Sequence, residues 1–505
     1  MEQDYTGISR IRKRKKGRTK YQLPYKFDEF MSDYKKIIED NLTTLIALYE
    51  EDKKEIKRLK EVKLGIQNIY QNYNYSNESM LVSNKSKTDQ NEMWAITNFW
   101  DNSLISEPIT YSLKTSDDVD DIAILNRYFT DVNKPVKDIK TINDVVTTGV
   151  GFQFITPTTK KNIDIEYEAP FHLAYLDNEK AFLVYSTGIL EEELFGCVIT
   201  NKVNEKEETI REYTIYMPGL VLVYEQEVVP NGQLKMVNLK KQPYNFQPII
   251  EYTMTPERVG VITPVESLQD SQNDINSNQI DLVKQQSHPP LVLIDVELDV
   301  QPGESIEQTY KRIRETNTIA AKTTGVAQPK INYLEQTKDM SSSNETFERV
   351  HKAIYDISAT PQASGNVTSG GDTGQARAFG NGWQNSFLRA KSYITFFTGR
   401  QIQTLKNILE CCKLKGEKNP LKNTHATDID VSFNTSVFDS ILIKAQAYEN
   451  LINSGVSVQE AAKSTKITKD PATFAKKVEN QKAKDLADEL ALEQASTVED
   501  NTDEQ

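Results

Sequence analysis

Residues 264–287 read PVESLQDSQNDINSNQIDLVKQQS. Pro264 stands where a first helical residue tolerates proline, and no Gly interrupts the run. Apolar side chains at Val265, Leu268, Ile275, Leu282 and Val283 form a thin stripe, with Gln272 and Gln279 in the gaps of a seven-residue pattern. A helix with so narrow a stripe, and so many Asn, Gln and Ser, is not expected deep in its own core. It gains stability by standing beside neighbouring helices or copies of itself. The stretch predicts a rod in an assembly.

Downstream, His288–Pro289–Pro290 stops this helix and Leu291–Val296 reads as a strand. Residues 302–340 form a mixed insertion, with a helical piece over Ile306–Arg314 and a strand near Lys330–Leu334. Ser342-x-x-Glu345 has the spacing of a capping box for a return helix striped by Phe347, Val350, Ile354 and Ile357, ending before Pro361. Residues 362–375, QASGNVTSGGDTGQ, lack packing side chains, so this loop is expected to be mobile or held by something else. A long helical pattern follows from Gly374 to Lys413, with anchors Trp383, Phe387, Ala390, Ile394, Phe397, Ile402, Leu405, Ile408 and Cys412. Gly380, Gly382 and Gly399 lie inside it and predict kinks. Phe438–Ile452, Ser457–Ser464 and Pro471–Leu492 complete the chain as helices.

Upstream, Tyr25 to about Tyr73 carries apolar residues at helical spacing, and residues 70–90 are polar and loop-like. A helix over Gln90–Leu104 carries Trp94 and Trp100, both expected as core anchors, before Pro108 and a short strand at Ile109–Leu113. A helical pair over Val119–Thr148 leads into Gly149–Val150–Gly151–Phe152, which opens a β-rich region. Its strands are expected at Phe152–Ile155, Ile163–Tyr167, Phe182–Thr187, Cys197–Thr200, Glu212–Met217, Leu220–Glu225 and Met236–Leu239, mostly antiparallel. The fold class is α+β, predominantly helical.

Composition bounds the function. The chain has 505 residues, enough for two to four domains at about 150 each, and its 3 Cys exclude a disulfide scaffold. The adjacent pair Cys411 and Cys412 is poorly placed to bridge, which suits a reducing compartment. No run of eighteen apolar residues and no apolar leader precedes the basic stretch, so neither a membrane span nor a secretory signal is expected. The formal charge of −13 argues against a coat that neutralises phosphates over its whole surface. Charge is concentrated at the ends, with eight Lys or Arg over residues 10–20 and an acidic tail from Asp485 to Gln505. These read first as solvated arms, although the basic one also suits a nucleic acid or acidic partner. No Walker loop, paired metal-spaced His or nucleophile elbow occurs, and His172, His288, His351 and His425 are scattered. Neither an enzyme, a cofactor nor a metal is expected.

The order of these elements resembles the portal (connector) proteins of tailed double-stranded DNA bacteriophages. Asn98–Tyr111, ending Glu107–Pro108–Ile109–Thr110–Tyr111, is similar to the family's helix and G-x-P-I-x-Y strand, with Glu107 replacing a small or basic residue. Thr148–Phe152 and the strands to Pro170–Phe171 resemble its G-x-a stretch and following sheet. Ile354–Tyr355–Asp356–Ile357–Ser358 with Ser369–Gly370 and Gln375–Ala376 resembles the signature around the tunnel loop. Asp428–Asn434, Asp439 and Leu451–Gly455–Val456–Ser457 resemble the C-terminal pattern, with Thr435–Ser436–Val437 where Ile–Pro is common.

The resemblance implies a ring of about twelve subunits at one capsid vertex, through which viral DNA is packaged and ejected. It divides the chain into a basic disordered arm (1–24), wing (25–262), first stem helix (263–288), clip (289–340), second stem helix (341–360), tunnel loop (361–375), long kinked wing helix (376–425), crown (426–480), and helix end with acidic tail (481–505). The channel loop would be Ser364, Gly365, Asn366, Thr368, Ser369, Gly370, Gly371 and Asp372, with Lys338, Arg349 and Lys352 as candidate basic rings. Each of the three cations reads equally well as one half of a salt bridge to a neighbouring subunit. Implied partners are the chain itself, double-stranded DNA read without sequence preference, terminase, head-completion or adaptor proteins, and major capsid and scaffolding proteins. No membrane is involved. Localisation would be the virion vertex, with the host cytoplasm during assembly. The alternatives are a non-channel head–tail adaptor or other virion assembly protein, and a nucleic-acid-processing enzyme, which would need a carboxylate–metal cluster.

Overall fold

The computed structural model describes residues 17–67, 87–113, 119–160, 164, 166–203, 209–228, 233–287, 291–294, 296–298, 300–316, 321–323, 330–333, 340–362, 383–415, 419–433, 441–465, 467–468, 471, 474–485 and 487. In chain order the elements are β1 (Tyr21–Leu23), α1 (Phe27–Ser32), α2 (Tyr34–Lys63), α3 (Glu92–Ile105), β2 (Thr110–Leu113), α4 (Val119–Asp131) and α5 (Lys134–Thr148). The strands β3 (Gly151–Pro157), β4 (Phe171–Leu176), β5 (Ala181–Ser186), β6 (Glu193–Val203), β7 (Thr209–Met217), β8 (Leu220–Glu227), β9 (Lys235–Lys241) and β10 (Ile249–Tyr252) follow. Then come α6 (Glu266–Ser287), β11 (Leu291–Ile294), β12 (Val296–Leu298), α7 (Ile306–Thr316), β13 (Ala321–Thr323), β14 (Lys330–Tyr333), α8 (Ser341–Ser358) and α9 (Trp383–Leu414). Finally come β15 (Ile429–Ser432), α10 (Ile441–Asn453) and α11 (Val458–Thr465), and residues 474–485 are helical. The chain divides into two units, one of residues 1–66, 91–266 and 355–505, the other of residues 67–90 and 267–354.

The first unit is built on a sheet of order β1-β5-β6-β7-β8-β9, antiparallel except for the parallel pair β1–β5. The helical spacing seen in the sequence puts Phe30, Ile37, Ile38, Leu42, Leu45 and Tyr49 of α1 and α2 onto Phe182, Val184, Phe195, Tyr213 and Ile215 of the sheet. Burying an aliphatic or aromatic side chain of this kind contributes about 1.5–3 kcal/mol. A second sheet, β10-β3-β4, receives the chain from α5. Gly149 ends that helix at φ 97°, its N–H donating to the Val145 carbonyl at 2.8 Å; a side chain there would strain this left-handed turn and strike the Arg258 carbonyl. α9 buries Ser386, Ala390, Tyr393, Phe397, Gln401, Thr404, Ile408 and Cys411 along one face.

Several expectations change here. Residues 17–23, expected within a disordered arm reaching to 24, belong to the body. Tyr21 and Leu23 alternate inward and are buried, Arg18 N–H donates to the Arg258 carbonyl at 3.0 Å, and Asp52 Oδ2 accepts from Thr19 N–H at 2.7 Å and Tyr21 Oη–H at 2.9 Å. Residues 1–16 lie outside the described residues. The expected strand at Ile163–Tyr167 is replaced, where described, by a turn: Asp164 accepts Glu166 N–H on its side chain (3.2 Å) and Tyr167 N–H on its carbonyl (3.0 Å). Of the two Trp expected in the core, Trp100 is fully buried, whereas Trp94 lies off the α3 stripe and is 47% exposed. Phe387 of α9 is likewise exposed, because the buried face begins at Ser386. Ser342 does not cap α8. The helix starts at Ser341, and Asn344 N–H already reaches the Met340 carbonyl at 2.9 Å. β15 pairs antiparallel with β2, so residues 429–432, assigned to the crown region, are part of the first unit's body.

In the second unit α6 and α8 run antiparallel, and the insertion between them holds two short antiparallel ladders, β11–β14 and β12–β13, with α7. Among the described residues no helix is long and apolar enough to cross a membrane, and Cys197, Cys411 and Cys412 are buried and unbridged.

Candidate functional site

Much of the buried polar side of α6 is paired within the chain. Gln269, Gln272, Asn273 and Ser277 are buried. On one face Asn273 Oδ1 accepts from Gln90 N–H at 3.1 Å and from Gln269 Nε2 at 2.9 Å, while Asn273 Nδ2 donates to Gln67 Oε1. Gln269 also donates to the Gln90 carbonyl at 2.7 Å, and Thr88 N–H donates to Ser277 Oγ at 3.1 Å. On the next face Gln272 Nε2 meets His351 Nδ1 at 3.5 Å, and one turn pair further Gln279 Nε2 donates to Ser343 Oγ at 3.0 Å and Asn344 Oδ1 at 3.1 Å. The Phe347 and His351 rings of α8 stack at 6.1 Å. The sequence reading left these groups to neighbouring helices or to sister copies. The structure satisfies one side of the rod with residues 87–90 and another with the neighbouring helix α8, since a buried amide without a partner costs about 1–3 kcal/mol.

What remains outward is charge. On α6, Asp274, Asn278 and Ser267 are exposed and Asp270 and Asp281 half-buried; on α8, Glu345, Glu348, Arg349, Lys352 and Asp356 are exposed. Two of the three candidate basic positions, Arg349 and Lys352, thus sit on one surface, interleaved with three carboxylates. Lys338 and the loop residues Ser364, Gly365, Asn366, Thr368, Ser369, Gly370, Gly371 and Asp372 lie outside the described residues.

The stalks of the loop are well defined within the first unit. Trp100 Nε1 donates to the Ser358 carbonyl at 3.0 Å, Arg389 Nη1 to the Ile357 carbonyl at 3.0 Å, and Ser386 Oγ to the Ala359 carbonyl. Tyr355 Oη donates to Glu92 Oε2. Carbonyls at the end of α8 are thereby tied to α3 and to the first two turns of α9. Sequence reasoning missed these anchors, since nothing in the spacing of Trp100, Arg389 and Ser386 announces a common target. Among the described residues no group of three His, Cys, Asp or Glu is arranged to hold a metal ion.

Comparison with known proteins decides the family. Residues 42–495 match the profile of the phage portal protein family, SPP1 Gp6-like. The chain belongs to this family. It is therefore a phage portal protein, with a portal function at the capsid vertex, and its family is a structural one. No curated protein matches the chain. Among solved structures it is similar at 12% identity to a chain from the neck of an empty gene transfer agent particle computed with C6 symmetry, over 74% of this chain and 90% of that one, with a TM-score of 0.41. It is also similar to chains of the virion of a native gene transfer agent particle (12% identity, 74% and 89% covered, TM-score 0.38) and of a native particle neck computed with C12 symmetry (11%, 74% and 89%, TM-score 0.37).

Proposed function

We propose that this portal protein assembles as a ring of about twelve copies around an axial channel that passes double-stranded DNA during packaging and ejection. The observation that carries this reading is the charge on the stem helices. The outward faces of α6 and α8 present Asp270, Asp274, Asp281, Glu345, Glu348 and Asp356 against Lys284, Arg349 and Lys352. Duplex is gripped when cations release its counterions, so a surface with a carboxylate excess lets it slide. The segment 364–372 carries no Lys or Arg to hold phosphates, which fits passage of duplex without a grip.

In this reading residues 263–288 and 341–360 are the stem, 289–340 the clip that docks terminase and later the head-completion or adaptor proteins, and 361–375 the tunnel loop. The wing comprises 17–262 with 376–425 and the strand 429–432, and 433–480 form the crown facing capsid and scaffolding proteins. The particle resides at the virion vertex after assembly in the host cytoplasm. Negative-stain images of the purified full chain test the proposal. Rings with a central hole are the expected outcome, and uniformly monomeric particles overturn it.

A further inference from the structure

The contacts between α6 and α8 fix a register, and the register aligns charges. Gln272 meets His351 and Gln279 meets Asn344, seven residues apart on each antiparallel helix. In that register Asp274 is level with Arg349, and Asp270 is within one residue of the level of Lys352. The carboxylates of α8 fall opposite uncharged positions of α6: Glu345 is level with Asn278, and Glu348 with Ile275. At about 1.5 Å of rise per residue, one residue of offset is within the reach of a Lys side chain.

The two sets do not face each other inside one subunit. On α6, residues 267, 270, 274, 278 and 281 recur at three- and four-residue spacing on the side away from Gln272 and Gln279; on α8, residues 345, 349 and 352 recur at the same spacing away from His351, whereas Glu348, three residues before His351, turns toward it. The helix pair therefore shows acids on one flank, and Arg349 and Lys352 with Glu345 on the other, the two cations at the heights of Asp274 and Asp270.

From this geometry we infer that the flank of α6 carrying Asp270 and Asp274 packs against Arg349 and Lys352 on α8 of a second copy of this chain. The inference rests on the ring reading. Copies of a ring are related by rotation about its axis, so for rods standing along that axis residues at equal height meet, and unlike flanks make a head-to-tail contact that closes. Carboxylates of α8 that met carboxylates of α6 would oppose such a contact; Glu345 is level with Asn278, and Glu348, one residue from the level of Asp274, lies on the His351 side of α8. Arg349 and Lys352, with Asp270 and Asp274, are thereby assigned to the contact between copies, and the charge left on the two helices to face DNA is Asp281, Glu345, Glu348 and Asp356 against Lys284, still a carboxylate excess.

A charge-swap experiment on the full chain tests the inference, with mass photometry reading particle size and far-UV circular dichroism reading folding. Variant one carries Asp270→Lys and Asp274→Lys; variant two carries Arg349→Glu and Lys352→Glu. Each alone places like charges at the contact, and ring formation is expected to weaken roughly tenfold or more. Mixed in equal amounts, the variants restore opposite charges at every contact and are expected to recover rings of alternating composition. Either variant forming rings as readily as wild type, or a folded mixture failing to recover them, overturns the inference. If a variant does not fold, the wild-type ring decides: it is expected to loosen between about 50 mM and about 1 M salt, and indifference to salt overturns the inference. Wild-type chain that forms no ring at all removes the ring reading itself, whereas wild-type rings unaffected by the variants remove only this contact.

Discussion

Asp144 shows how one carboxylate can set a pH response. Burial raises its pKa to about 6, with Lys60 opposing from 3.7 Å and Tyr175 Oη donating to it at 2.6 Å. The folded state thus holds the Asp144 proton more tightly than the unfolded chain does. Stability from this group is fully present below the unfolded value of about 3.9 and is lost as pH rises through about 6. A shift of about two units amounts to about 3 kcal/mol at most between pH 4 and pH 7. Asp144→Asn is expected to flatten the unfolding free energy over that window, measured by urea titration; an unchanged pH slope in the variant contradicts the assignment. The sequence marks Asp144 as one acid among 73 Asp and Glu. Only packing against α2 and β4 buries it.

At the scale of elements, the polar rod α6 depends on Asn273 more than on its few apolar residues. Asn273 is fully buried and joins Gln90, Gln269 and Gln67. Asn273→Ala leaves those groups short of a partner and is expected to cost about 1–3 kcal/mol. Hydrogen exchange is the sensitive readout, with the Gln90 amide expected to exchange faster while amides of β6 and β7 stay protected; equal protection at Gln90 in both proteins refutes the role. The 3.6-residue periodicity exposed the existence of α6, α8 and α9 in the sequence. It did not expose which polar faces were internal, because Gln and Asn read alike whether they meet water, a neighbouring copy or residues 87–90. The short strands β1, β4, β10 and β15 escaped for a related reason. Three to six residues carry little pattern, and their strand character comes from the partner they pair with.

For the whole molecule, the tie between α8 and α9 bears on the loop they flank. Because Ser358, Ala359 and Ile357 are held by Trp100, Ser386 and Arg389, shortening the intervening segment leaves its stalks in place. Deleting residues 364–372 is expected to leave ring assembly intact, as seen by negative stain, and to impair packaging or retention of DNA. Packaged DNA of normal length in that mutant would remove the loop from the mechanism.

By itself the sequence determined an acidic chain without catalytic motifs, its main helices, its β-rich body and, through the order of those elements, its family. Periodicity, turn residues and net charge are local or additive properties, so they survive without coordinates. The tertiary structure decided what depends on distant partners. It drew residues 17–23 into the sheet, turned Trp94 outward, buried the amides of α6 within the subunit and set Asp274 level with Arg349. Such outcomes follow from which surfaces meet, and that choice is made by the fold as a whole.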